Sequence, residues 1–210
     1  MKDIIGIQDE GQSSISIKKM ALKIIAELNL PKNIHVADIG AGRGDFSKLI
    51  TSLFEDITMV DFYEQPIKDS RINFINANLN DDWQISENSF DLVFALEVIE
   101  HIENPRHFVR EINRILKSGG FAFISMPYNL NLFSKLNFLF KNEHRFFQDF
   151  CYPAHITCLF PKDLLRILNE NNLSLIKTVY NYEDVLPLVG KNIYLPTKHF
   201  SNSVGFLIKK

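Results

Sequence analysis

The chain has 210 residues, 46% of them hydrophobic, which is enough for one sizeable α/β core and too little for two ordinary domains. A formal charge of −2 argues against non-specific nucleic-acid binding, which shows as a basic excess. Cys151 and Cys158 alone imply no disulfide framework; residues 1–20 lack a signal-peptide pattern, and no apolar run approaches the ~18 residues of a membrane span, so a cytoplasmic location is expected.

Gly11 to Ser14 read as a loose start, after which Ile17, Met20, Ile24 and Leu28 recur at helical spacing and predict a helix that covers the core. Residues 36–46, VADIGAGRGDF, carry a hydrophobic strand into Asp38 and then Gly40, Gly42 and Gly44. A glycine turn between a parallel strand and a helix lets a nucleoside-type cofactor lie against the backbone at the carboxyl edge of a sheet. The dinucleotide pattern GxGxxG would need glycine or alanine at position 45, where Asp45 stands, a poor neighbour for pyrophosphate. Asp38 suits a cofactor with a cationic amino-acid part, whose ammonium it can orient directly or through water. ITMVD then ends in Asp61, 19 residues beyond Gly42, where a carboxylate can accept both hydroxyls of a ribose; the competing reading is a turn aspartate.

RINFINANLND is strand-like and then polar, and FDLVFAL is an apolar run of strand length followed by EVIEHI. In HFVREINRILKSGGFAFISMP, Phe108, Ile112, Ile115 and Leu116 keep helical spacing, Gly119 and Gly120 are expected to stop the helix, and FAFISM reads as a buried strand. After Pro127 the rhythm changes: residues 128–160 hold seven Phe and two Tyr with scattered basic residues, an insertion of one or two short helices expected to act as a lid. FPKDLLRILNENN predicts an amphipathic helix, and LSLIKTVYN and SVGFLIK the last strands, joined by a long loop from Tyr182 to Asn202 that is expected to add to a substrate pocket.

Five segments between residues 34 and 126 together resemble the class I S-adenosylmethionine-dependent methyltransferases, of the small-molecule, ubiquinone-pathway O-methyltransferase-like type. The resemblance implies a single α/β domain: a Rossmann-like, seven-stranded, mostly parallel sheet with helices on both faces, one antiparallel strand near the C-terminus and a helical lid insertion. Within it, 1–30 is the covering helix, 34–126 the cofactor-binding core, 128–160 the lid, and 161–210 the C-terminal helix and strand hairpin. It implies S-adenosylmethionine as cofactor, S-adenosylhomocysteine as product and a small-molecule acceptor, with no nucleic acid; the sequence is silent on oligomeric state. Asp38, Gly40, Ala41, Gly42 and Gly44 would hold the methionine part, Asp61 with Phe62 the ribose, Asn78 and Leu79 the adenine, and Glu97 the floor beside the reacting centre. Asn78 stands where the family often has an acidic residue, and its amide can still meet adenine.

On a helix, Glu97, Glu100 and His101 would share one face, and His155 can complete a metal set from the lid, a pattern that resembles the metal site of small-RNA terminal 2'-O-methyltransferases and of some ubiquinone-pathway O-methyltransferases. The reading taken instead is that these residues border the cofactor and bind no metal, because short motifs of this kind recur by chance. His155 or His101 is expected to take the acceptor's proton, imidazole titrating near neutral pH; the competing role for His155 is a bond to a loop backbone. Two rivals stand beside this reading. One is a nucleic-acid or protein methyltransferase on the same fold, although NPPY is absent after the fourth strand, where ALEV stands; the other is a non-catalytic partner protein, against which the intact DIGAGRG turn argues.

Overall fold

The computed structural model describes residues 14–63, 67–181, 185–188, 191–194 and 198–210. Helix α1 (Ile15–Leu28) starts where the Ser14 hydroxyl caps the Ile17 amide. It is followed by β1 (His35–Ile39), α2 (Asp45–Ile50), β2 (Asp56–Asp61), β3 (Ile72–Asn76) and β4 (Phe90–Leu96). Helix α3 (Pro105–Ile115) begins with the Asn104 side chain accepting from the His107 amide and with proline at its first position, where no N–H is missed. Strand β5 (Leu116–Pro127), α4 (Leu132–Lys141), a 3-10 turn (Asp149–Cys151), α5 (Pro161–Glu170), β6 (Ser174–Tyr180), a separate two-stranded pair of β7 (Val185–Leu188) and β8 (Lys191–Tyr194), and β9 (Ser203–Lys209) complete the order.

Seven strands form one sheet in the order β3-β2-β1-β4-β5-β9-β6. The first five run parallel, and β9 lies antiparallel between β5 and β6. Strand faces alternate as period-2 geometry requires. Leu92, Phe94, Phe123 and Leu207 pack on the face under α1 and α2, whereas Ala37, Val93, Ala122, Ile124 and Phe206 pack on the face under α3 and α5. Central strands covered on both sides explain their near-continuous apolar runs. The chain leaves β1 in one direction and β4 in the other, so the crevice between their carboxyl ends is where an open α/β sheet receives a ligand.

Two local expectations need correction. The helix of residues 105–115 stops at Ile115, not at Gly119, because Leu116 turns extended and pairs with Phe90; Gly119, at φ 80°, lies inside β5. Residues 97–101 are not α-helical: Glu97 sits at φ 56° and Ile99–His101 form a 3-10 turn, so the shared helical face does not form. The loose start at Gly11 to Ser13 lies outside the described residues, as do residues 182–184, 189–190 and 195–197 of the loop from Tyr182 to Asn202. Among the described residues no helix is long and apolar enough to cross a membrane.

Candidate active site

The carboxyl ends of β1, β2 and β4 bring Gly40–Gly44, Asp61 and Glu97 to one edge of the sheet. After β1 the backbone turns through three positive φ values, 69° at Gly40, 53° at Gly42 and 72° at Gly44, a path that residues with a Cβ rarely follow. At Gly40 a Cβ would also lie 2.6 Å from a Val98 methyl, and at Gly44 2.7 Å from the Met59 methyl. The turn is tied to β2 by Gly40 N–H donating to the Val60 carbonyl at 2.8 Å and by Gly42 N–H donating to Asp61 Oδ2 at 2.8 Å. Asp61 also accepts from the Tyr63 amide at 3.1 Å, so its carboxylate is held at the crevice by two backbone donors while lone pairs remain for a diol. Phe62 and Tyr63 stand exposed beside it, edge to face at 5.0 Å; Tyr63 was not singled out from sequence, and only its adjacency to Asp61 would have signalled it.

Asp38 lies under the turn rather than in it. It is 2% exposed and accepts the Ser47 hydroxyl at 2.6 Å, a partner that no local motif in the sequence announces. Burial, with the Asp61 charge added and the Ser47 bond opposing, pushes its carboxyl up to about 7. A carboxyl raised by folding takes up a proton on folding, so its contribution to stability is complete below its ordinary value and is lost as pH rises through about 7. Replacing Asp38 by Asn removes the buried charge. Asp38→Asn should therefore stabilise the ligand-free protein more at pH 8 than at pH 5, the gain growing by about 2 kcal/mol between them. Melting temperatures of both proteins from pH 5 to 8.5 check this, and parallel profiles would refute it.

Asn78 is committed locally. Its Nδ2 donates to Asp81 Oδ2 at 2.9 Å and its Oδ1 accepts from the Asn80 amide at 3.1 Å, while Leu79 packs partly buried against the core and its carbonyl faces the Trp83 indole N–H at 3.4 Å. Glu97 is positioned by the Ser125 hydroxyl, which accepts from its amide at 3.0 Å, and by Ser203 at the start of β9, which donates to Glu97 Oε2 at 3.2 Å.

His101 and His155, distant in sequence, meet with ring centroids 4.9 Å apart. His101 Nδ1 lies 2.7 Å from the Ala154 carbonyl and His155 Nδ1 lies 2.6 Å from the Phe146 carbonyl. A carbonyl only accepts, so each Nδ1 carries the hydrogen and each neutral ring keeps its lone pair on Nε2. The segment bearing His155 is pinned by the Ile156 and Thr157 amides, both donating to the Glu100 carbonyl at 3.0 Å. Glu100 is 2% exposed, with Oε1 4.0 Å from His101 Nε2 and Oε2 buried with no hydrogen-bond partner among the described residues. Burial, and then the Glu97 charge, raise the Glu100 carboxyl well above the usual carboxylate range, which favours its protonated form. One ligand atom each from Glu100, His101 and His155 lies within 4.8 Å of the others; Glu97 is not part of that group.

Comparison with known proteins gives this arrangement its family. A family model described as a methyltransferase domain matches residues 16–178. The ubiquinone biosynthesis O-methyltransferase of Xanthomonas oryzae pv. oryzae is 28% identical over 99 residues, 43% of this chain and 41% of that protein. The chain thus spans about half the length of the curated relatives it matches, the shares among them reaching 50%. The Burkholderia thailandensis 1,6-didemethyltoxoflavin N1-methyltransferase, solved with 1,6-didemethyltoxoflavin and S-adenosylhomocysteine, superposes with a TM-score of 0.68 at 14% identity, over 100% of this chain and 84% of that one. An S-adenosylmethionine-dependent methyltransferase from Mesorhizobium loti gives a TM-score of 0.64 at 14% identity, over 92% of this chain and 98% of that one.

Proposed function

We propose, from the premise that the chain belongs to the class I S-adenosylmethionine-dependent methyltransferases and uses S-adenosylmethionine as its cofactor, that it methylates a hydroxyl oxygen of a small-molecule acceptor. The observation that carries this reading is the His101–His155 pair, two imidazoles whose Nδ1 atoms face backbone carbonyls, which places the lone pair of each neutral ring on Nε2. The printed names of the relatives support an oxygen acceptor, and that of the Burkholderia enzyme supports a small one.

The donor set fits the cofactor. The open glycine turn accepts its amino-acid part, the anchored Asp61 carboxylate can take a ribose diol, and exposed Phe62 offers an apolar edge beside it. With the Asn78 amide held by Asp81, the adenine contact assigned to Asn78 and Leu79 falls to backbone groups there or needs that local bond to open. When bound, the cofactor supplies a methyl already activated on a sulfonium. The protein then has two tasks: to hold the acceptor oxygen in line, which yields much of the acceleration, and to take the proton that the oxygen sheds. His155 Nε2 takes that proton in our reading, and His101 shares it. We assign residues 34–126 as the cofactor platform and 128–160 as the cover over the acceptor, within one domain.

A second reading puts a divalent ion on Glu100, His101 and His155, and the cluster itself favours it. Nitrogen and oxygen donors at about 2.1 Å from one ion lie roughly 3 Å apart. The 4.8 Å spread would have to contract, and Glu100 would have to lose the proton that its burial favours. Proton transfer is therefore retained.

The test is S-adenosylhomocysteine release with panels of hydroxylated small molecules, RNA and a histone mixture. Turnover on the hydroxylated compounds that survives EDTA is the expected result. Turnover only on RNA or protein would overturn the acceptor class; loss in EDTA with rescue by magnesium or manganese would make the cluster a metal centre.

A further inference from the structure

A run of buried polar side chains crosses the molecule from its first helix to the ligand edge of the sheet. Ser16 on α1, Asn181 just past β6 and Ser203 at the start of β9 are 7%, 3% and 5% exposed. The Ser14 and Ser16 hydroxyls lie 2.9 Å apart, and Ser16 Oγ accepts from Asn181 Nδ2 at 3.0 Å, across 165 positions of the chain. Asn181 Oδ1 in turn accepts the Ser203 amide at 2.7 Å, and the Asn181 amide donates to the Ser203 carbonyl at 3.2 Å. The last link is the Ser203 hydroxyl, which donates to Glu97 Oε2 at 3.2 Å.

Sheet order brings these groups together. Strand β9 lies beside β5, and Ser203 faces Pro127 at the end of β5, so the antiparallel strand starts where the parallel strands finish. Packing alone does not require the network, since apolar side chains would fill the same space without the cost of burying amides and hydroxyls. Glu97, where the network ends, has a strained backbone, at φ 56° in the left-handed region that a side chain of its size rarely adopts. Such a conformation persists where its surroundings over-determine it; here Ser125 takes the Glu97 amide and Ser203 the carboxylate. The next residue, Val98, packs on the glycine turn, where a Cβ at Gly40 would lie 2.6 Å from its methyl. The other two carboxyl groups around that turn are committed: Asp61 accepts the Gly42 and Tyr63 amides, and Asp38 lies beneath with the Ser47 hydroxyl on it.

We infer that Ser203 and Asn181 are positioning residues, which hold the Glu97 carboxylate at the ligand edge so that it favours the cationic methyl donor over the neutral product. S-adenosylmethionine carries a sulfonium charge that S-adenosylhomocysteine lacks. A carboxylate fixed in a partly desolvated site weighs that difference strongly, whereas one free to swing into water weighs it little. The inference rests on the cofactor placement proposed above.

Calorimetry with S-adenosylmethionine and with S-adenosylhomocysteine, no acceptor being present, tests it. Ser203→Ala removes the hydroxyl and keeps the backbone pairing with Asn181. It should lower the affinity for S-adenosylmethionine roughly tenfold, the size of a hydrogen bond to a charged group, and that for S-adenosylhomocysteine by less than about twofold. Ser203→Thr keeps a hydroxyl and should restore the parent ratio of the two affinities. Asn181→Ala should act as Ser203→Ala does, and it decides the matter if that variant fails to fold. Glu97→Gln should lower the ratio roughly tenfold, and adding Ser203→Ala to it should change the ratio no further, because Ser203 acts through Glu97. Equal losses for both ligands in Ser203→Ala would make Ser203 a structural residue and overturn the inference, as would an unmoved ratio in Glu97→Gln. A parent protein that binds neither ligand would overturn the cofactor placement and the inference with it.

Discussion

His155→Ala should lower kcat by about 10²- to 10⁴-fold, the range contributed by a positioned general base, and should leave the affinity for S-adenosylhomocysteine within a factor of about two. The expectation rests on the Nδ1 contact with the Phe146 carbonyl, which leaves Nε2 as the basic atom, and on the close approach of His101. Acceptor KM should change much less than kcat, because proton removal belongs to the transition state rather than to ground-state binding. A purely structural histidine would behave otherwise. Its loss would lower the melting temperature and cofactor affinity together, and the rise of kcat with pH would keep its shape; loss of a base flattens that rise. If kcat stays within about threefold of the parent value, the role passes to His101, and His101→Ala becomes the deciding variant.

Asp61→Ala should weaken S-adenosylhomocysteine binding by about 1.5–3 kcal/mol, roughly 10- to 150-fold, the magnitude of hydrogen bonds to a charged group. Part of that loss comes from the turn itself, since Asp61 is the acceptor for the Gly42 and Tyr63 amides. Asp61→Asn separates the contributions: its one oxygen keeps the acceptor for the Gly42 amide that ties the turn, at the loss of the bond from the Tyr63 amide to the other oxygen, and it cannot accept two hydroxyls in the same way. The Asn variant should recover most of the melting temperature and only part of the affinity. Calorimetry alongside thermal unfolding reads both quantities. A folded Asp61→Ala protein with unchanged affinity would remove Asp61 from the ribose role.

Much of this molecule is written in short-range pattern. Alternating apolar strands and amphipathic helices determined a parallel sheet covered on both faces, because each pattern has only one way to bury its apolar side. The interval from Gly42 to Asp61 was legible for a related reason. It is the length of one helix and one strand, and the structure joins its ends by a 2.8 Å hydrogen bond.

What the sequence left open depended on which groups reach a given atom first. Glu97, Glu100 and His101 have helical spacing, yet β4 runs into Leu96 and the backbone leaves it through a left-handed residue and a 3-10 turn, so no helical face exists to share. Asp38 looks available in the motif; Ser47, reached only once α2 folds over β1, takes its carboxylate. Asn78 looks available for a ligand, and Asp81 takes its amide. Helix α4 buries only Ser134, and the Asn131 side chain that caps it also donates to the Ser201 carbonyl just before β9, a partner far along the chain. Local periodicity therefore determined the elements and the cofactor turn. Only tertiary structure brought His155 to His101 and buried Glu100 beside them, because contacts between distant segments are set by packing and competition for hydrogen bonds, to which spacing along the chain is blind.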